Sequence, residues 1–276
     1  MQFKNNIKSI AIGSFDGIHL GHKALIDQVE AVVVIERNGG YLTPGYKRAW
    51  WITQPCFFYH LENISLLRPK EFIEKLQKDF PKLDTIVVGY DFGFGYQKEG
   101  DVKALKSLFK GEVIEVSEVK VAGISIHSRT IKSYLKEGDI RNVNLLLSRF
   151  YSVIGKVIKG QGLGAKALVA TVNLNIYDYQ LPKDGVYATY TKVDGVWLPS
   201  ISFIGIRATT DGAFAIESHI LNQEIAEVNG KVELKFVAFI RENQKFNGLE
   251  ALKNQIVVDI KSAEKILKQG ENPTSS

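Results

Sequence analysis

The chain has 276 residues, 45% of them apolar and 24% charged, the balance of a soluble globular protein with enough length for two ordinary domains. A formal charge of +5, scattered rather than gathered in a stripe, fits small anionic ligands better than nucleic acid. The single cysteine, Cys56, excludes an internal disulfide and suits a reducing cytoplasm. No apolar run approaches the ~20 residues that span a bilayer, so no membrane association and no leader is expected.

In chain order, "IKSIAIG" (7–13) reads as a short buried strand ending in glycine, and "HKALIDQVEAVV" has helical spacing at Ala24, Leu25 and Val29. "AVVVIE" (31–36) is a second strand, and "NGGYLTPG" interrupts the pattern. "RPKEFIEKLQKDF" (68–80) starts a helix at Pro69 with Phe72, Ile73 and Leu76 on one face. "DTIVVGYDFGFG" is a strand running into a glycine turn, "DVKALKSLF" a helix, "EVIEVSEV" a strand, and "SRTIKSYLKEGDIRNVNLLL" one or two closing helices. Strands alternating with helices predict a parallel sheet covered on both faces. From about residue 150 the rhythm changes to six strand-like runs with a hairpin at Asp194-Gly195, then an amphipathic helix near 247–268, which predicts a small barrel. The expected domains are therefore 1–149 and 150–270, with 271–276 a frayed tail.

The chemistry concentrates first in "GSFDGIHLGH" (13–22), placed between a strand and a helix, where open α/β sheets bind ligands. Gly13 and Gly17 allow close approach of the backbone, and the amides around Gly21 carry the positive end of the helix dipole, about +0.5 charge. His19 and His22, three apart, share a face and can donate to one anion as charge builds on phosphorus. A single histidine at a helix start is commonly structural; a pair after "GSFDG" points to function. Zinc fits poorly, because no third ligand stands at a familiar spacing.

This stretch resembles the G-x-F-D-G-x-H-x-G-H motif of nucleotidylyltransferases, in the form carried by bacterial bifunctional riboflavin kinase/FMN adenylyltransferases (FAD synthetases), and the resemblance spans about residues 9–268. It implies a Rossmann-like nucleotidylyltransferase domain followed by a six-stranded riboflavin kinase-like barrel with a C-terminal helix. It implies an ATP site lined by Gly13, Phe15, Asp16, His19 and His22. "VVGYDFGFG" (87–95) is similar to a second family segment and implies flavin contacts at Asp91, Phe92 and Phe94. "IHSRTIK" (126–132) stands where the family carries I-S-S-T-x-I-R, implying phosphate binding by Ser128, Arg129 and Lys132, although a lysine cannot form a guanidinium fork. Through "ERNGGYLTPGYKR" the chain departs from the family's phenylalanine-proline-histidine-proline segment, leaving that wall of the site unassigned.

In the second half, "GAKALVATVN" (164–173) matches the family's G-R-x-L-G-F-P-T-A-N loop, with Ala165, Leu168 and Ala170 in place of arginine, glycine and proline. The resemblance implies that Thr171 and Asn173 hold Mg²⁺ and nucleotide phosphates, with Lys166 supplying charge, and that Glu217 in "IESHIL" is the base for a riboflavin hydroxyl. In "FIGIRATT", Ala208 replaces a proline. The implied activities are phosphorylation of riboflavin to FMN and adenylylation of FMN to FAD, with ATP and Mg²⁺. The alternatives are an adenylyltransferase with a degraded kinase module, a flavin sensor without catalysis, or another nucleotidylyltransferase. The last leaves the barrel unexplained. Oligomeric state is not legible.

Overall fold

The computed structural model describes residues 6–37, 39, 41–159, 170–223 and 228–269. Two compact units divide the chain, Met1–Ser128 and Arg129–Ser276. In the first, β1 (Ser9–Gly13), α1 (Leu20–Ile26), β2 (Ala31–Glu36), β3 (Cys56–His60), α2 (Leu61–Ile64), α3 (Pro69–Asp79), β4 (Thr85–Gly89), α4 (Val102–Leu108) and β5 (Glu112–Val116) are followed by a small ribbon, β6 (Lys120–Val121) and β7 (Ile124–Ser125). Short 3₁₀ turns occupy Gly45–Trp51 and Tyr96–Lys98. The five-stranded sheet has the order β3-β2-β1-β4-β5, and every pairing in it is parallel.

The alternation of side chains along each strand sorts the core into two layers. Ile10, Ile12, Val33, Ile86 and Val88 face Phe72 and Leu76 of α3 and Leu105 of α4. Ala11, Val32, Val34 and Val87 face Leu25 and Ile26 of α1. α3 begins as its sequence predicts, with Pro69 in the first turn and the Glu71 carboxylate accepting from the Arg68 amide at 2.7 Å. β3 was not expected from the sequence. Its "CFFYH" run is short and follows Pro55, so the local pattern is weak, and parallel pairing of Val32–Glu36 with Cys56–His60 decides it. The strand order reverses beside β1, so the loops after β1 and β4 flank the switch point.

The second unit carries α5 (Ser128–Glu137, which starts at the division) and α6 (Ile140–Leu147), then β8 (Tyr151–Ile158), β9 (Val172–Asn175), β10 (Gly185–Val193), β11 (Val196–Ile206), β12 (Phe214–Ile220), β13 (Lys231–Glu242) and α7 (Leu249–Lys268). The six strands close a barrel in the order β10-β11-β12-β9-β8-β13, with antiparallel pairing throughout. The Asp194-Gly195 hairpin forms as expected, with φ of 48° and 86° at its two central residues, the combination a twisted two-residue turn requires.

By packing, the chain divides at 128/129, with α5 and α6 fastened to the second unit; the expected 149/150 boundary marks the change from helices to barrel strands. The Asn144 carboxamide accepts from the Tyr151 amide at 2.7 Å and donates to the Phe236 carbonyl at 3.0 Å. The Lys183 amide donates to the Leu135 carbonyl at 2.8 Å. The bonds to Phe236 and from Lys183 tie residues far apart in sequence, which periodicity does not register.

Alternation along β10 sends Thr189 and Thr191 into the barrel and Val186 and Ala188 outward under α7. The hydroxyls of Thr189, Ser200, Thr191, Ser218 and Ser202, all buried, are linked in that order by bonds of 2.7–3.1 Å, and Ser202 bonds back to Thr189 at 2.8 Å. Each hydroxyl has one donor and can accept, so a closed ring satisfies every proton. α7 is held by Asp259, 3% exposed, which accepts from Arg241 Nη2 at 2.7 Å and from Gln255 at 2.8 Å.

Candidate active sites

In the first unit the loop after β1 is held in a strained path. Phe15 and Ile18 have φ of 47° and 42°, although both are buried. Such conformations cost about 1–3 kcal/mol each and persist where surrounding contacts over-determine them. Part of that constraint is Asp16, whose Oδ1 accepts from the amides of Leu42 at 2.8 Å and Thr43 at 3.0 Å. The resemblance implies that Asp16 lines the ATP site; in the structure one oxygen of its carboxylate accepts from these amides and fastens stretch 41–51 to the loop. The Phe15 ring packs over Gly13, where a Cβ would lie 3.3 Å from it, and meets the His22 ring edge-on at 5.2 Å.

His19 is the N-cap of α1, and its Nδ1 accepts from the His22 amide at 3.2 Å. An accepting Nδ1 bears no proton, so a neutral His19 carries its hydrogen on Nε2. That nitrogen is 3.5 Å from Ser128 Oγ, which donates to the Asp16 carbonyl at 2.7 Å. The two imidazoles stack, with centroids 3.5 Å apart and planes 19° apart. The structure thus brings His19, His22 and Ser128 together. Gly21 passes the helix start close to its neighbours: a Cβ there would meet His19 Nδ1 at 3.2 Å and the Ile126 carbonyl at 3.4 Å. Because the His22 amide is already engaged by His19, less of the helix start is open to an anion than its sequence implies. Arg129, exposed, and Lys132, half-buried, follow on α5 three residues apart.

The turn after β4 divides the expected flavin contacts. Asp91 is exposed. Phe94 is 4% exposed, in the core beside Phe72 at 5.7 Å and stacked on Phe92 at 5.6 Å. The ring of Phe94 therefore serves the core and is not offered to a flavin, a correction that follows from the packing of α3 beneath this turn.

In the barrel, Glu217 stands directly opposite Asn173 on β9 and Phe203 on β11, so antiparallel register puts the three on one face. The Asn173 amide lies 3.5 Å from Thr171 Oγ1, as expected for two residues two apart. Lys166, with Ala165 and Leu168, lies outside the described residues. Two groups gain roles that the sequence did not give them. Arg207 Nη1 donates to Glu217 Oε1 at 2.9 Å, while its Nε and Nη2 grip Asp211 at 3.0 and 2.8 Å. Burial opposes the charge on Arg207, but the bonds and charges of Glu217 and Asp211 outweigh it and raise its pKa. His219 donates from Nδ1 to the Ala170 carbonyl at 2.7 Å, fixing the residue before Thr171. Both lie in stretches already singled out, "FIGIRATT" and "IESHIL", but only the ladder brings them to Glu217 and Thr171. Among the described residues, no group of three or more His, Cys, Asp or Glu side chains is placed to hold a metal ion. Thr171 and Asn173 offer neutral oxygens of the kind that supplement phosphate ligands on Mg²⁺.

Comparison with known proteins agrees with this two-part layout. A FAD synthetase family model matches residues 2–37 and 52–134, passing over 38–51, and a riboflavin kinase model matches 147–267. The chain is 30% identical to a bifunctional riboflavin kinase/FMN adenylyltransferase of Listeria monocytogenes, over 91% of this chain and 90% of that one. It is 27% identical to the protein of the same description from Pseudomonas fluorescens, with the same coverage of 91% and 90%. A crystal structure described as a macrolide-efflux protein from Streptococcus pneumoniae shares the fold, with a TM-score of 0.82 and 22% identity over 94% of this chain and 95% of that chain.

Proposed function

The chain belongs to the bifunctional riboflavin kinase/FMN adenylyltransferase family, and on that premise we propose that it makes FAD in two ATP-dependent steps, one in each half. In the adenylyl transfer, a phosphate oxygen of FMN attacks the α-phosphorus of ATP. The bond from that phosphorus to the bridging oxygen breaks, and pyrophosphate leaves. Such a reaction asks for alignment and charge stabilisation rather than a protein nucleophile. The single observation that carries this reading is the His19/His22 stack beside Ser128. His19 Nε2–H and the ring edge of His22 are suited to donate to oxygens on the reacting phosphorus. Loss of one such donor costs about 3 kcal/mol of barrier.

In the kinase step, the terminal hydroxyl of riboflavin attacks the γ-phosphorus of ATP and ADP leaves. Glu217 accepts the hydrogen bond of that hydroxyl. With its other partner Arg207 holding the charge, Glu217 acts first by orienting the nucleophile and takes the proton as the new bond forms. Mg²⁺ bound to the nucleotide would draw ligands from Thr171 and Asn173 and supply charge neutralisation on the phosphates. Arg129 and Lys132 are further phosphate-binding candidates and Asp91 a flavin-side one. No helix among the described residues is long and apolar enough to cross a membrane, and a cytoplasmic setting suits substrates of this kind.

Incubation with Mg-ATP and either riboflavin or FMN, followed by chromatography of the flavins, tests the proposal. Both FMN and FAD are expected. FAD from FMN without FMN from riboflavin would remove the kinase half, and tight flavin binding without turnover would favour a sensor.

A further inference from the structure

Arg48 is a buried charge that neither step above uses. Its side chain has no exposed surface, and it comes from the stretch 38–51 that the FAD synthetase family model passes over. Nη1 donates to Glu36 Oε2 at the carboxyl end of β2, and the guanidinium lies 4.9 Å from the centre of the Tyr41 ring. Burial first, and then the charge and hydrogen bonding of Glu36, raise the pKa of the Tyr41 hydroxyl against the opposing charge and hydrogen bonding of Arg48. Nε and Nη2 of Arg48, by contrast, are buried without a hydrogen-bond partner.

Those two nitrogens are the informative pair. In a guanidinium, Nε–H and one Nη2–H point the same way along one edge, a fork whose spacing matches two oxygens of a phosphoryl group. Glu36 has taken the other side, so it is the fork that is left bare. Leaving such donors buried and unmet is costly, and an apolar side chain of similar volume would avoid that cost. The location is also specific. Leu42 and Thr43, in the same stretch, hold Asp16 through their amides, and β1 and β2 are adjacent in the sheet. The stretch bearing the fork is thus fastened to the loop from which the histidine pair issues.

We infer that Arg48 is a substrate-binding residue of the adenylyltransferase half, its Nε/Nη2 edge taking two oxygens of a phosphoryl group when stretch 41–51, which carries it, shifts to open that edge to substrate. The inference rests on the function proposed above. The phosphoryl group belongs either to ATP or to FMN, and kinetics separate the two.

Arg48→Lys keeps the charge and the pairing with Glu36 but has no fork. In FAD formation from FMN, it is expected to raise KM about tenfold for the substrate whose phosphate is held, with kcat and the other KM within threefold. Unchanged KM values for both substrates in a folded variant would overturn the inference. Should Arg48→Lys fail to fold, Arg48→Gln decides: with the fork gone the same KM is expected to rise at least about tenfold with kcat within threefold, and unchanged KM values count against the fork. Titration of the full chain with inorganic pyrophosphate, followed by the fluorescence of Trp50 and Trp51, needs no turnover. A response in the wild type that weakens at least about fivefold in Arg48→Lys supports the inference even if no FAD is made, and equal responses or none refute it. Absence of FAD formation by the wild type would count against the proposed function alone.

Discussion

The two units build their sites by opposite means. In the first, the main chain does most of the positioning: residues with left-handed backbone, Phe15 and Ile18, lie in a loop held by two amides on Asp16, and a ring nitrogen caps a helix. In the second, regular strands place the groups, and side chains hold one another: Glu217 by Arg207, and the residue before Thr171 by His219. The interiors differ in the same sense. The sheet is packed with aliphatic and aromatic residues, whereas the barrel encloses a ring of hydroxyls. A loop-built site can be re-walled by changing one connection, as stretch 38–51 illustrates. A strand-built site is fixed by register, and a shift of one residue would turn Glu217 to the opposite face.

The sharpest way to break this comparison is to disable one site and read both products. His22→Ala is expected to lower FAD formation from FMN by about 10²–10³-fold, with FMN formation from riboflavin within twofold. Glu217→Gln is expected to do the converse, lowering FMN formation by about 10²-fold or more and sparing FAD formation from FMN. Equal loss of both products in either folded variant would contradict two independent sites.

Stability variants sharpen the contrast of interiors. Asp259→Ala strands Arg241 beneath α7 and is expected to cost about 3 kcal/mol in denaturant unfolding. Thr191→Val opens the hydroxyl ring, leaving Ser200 and Ser218 each short of a partner, at about 1–3 kcal/mol. A neutral Thr191→Val would show that the ring is dispensable. The smallest effect concerns Cys56, half-buried on β3, where burial pushes the thiol pKa up. Its thiolate forms only at higher pH than that of a free thiol, so alkylation at pH 8 should be slower than for a model thiol and rise with pH.

Much of the site was legible because it is local. The spacing of His19 and His22 and the six barrel strands are set by residues a few positions apart. So is the Asp194-Gly195 turn. What the sequence does not show depends on distant partners. Asp16 is tied to Leu42 and Thr43, 26 and 27 residues on, a link no local pattern announces. Phe94 looks like a flavin contact until Phe72 packs on it. The bond from Asn144 to Phe236, 92 residues on, fastens α6 to the barrel, which the change of rhythm at 150 does not register.

By itself, then, the sequence determined most of the elements (β3 excepted), their alternation and the two candidate chemical centres, since periodicity, turn residues and motif spacing act over a few residues. Only the tertiary structure decided which nitrogen of a neutral His19 carries the proton, which carboxylates are held by Arg207, and that Arg48 is buried with one edge bare. Those properties arise from burial and from hydrogen bonds between residues brought together by folding, and no local pattern encodes them.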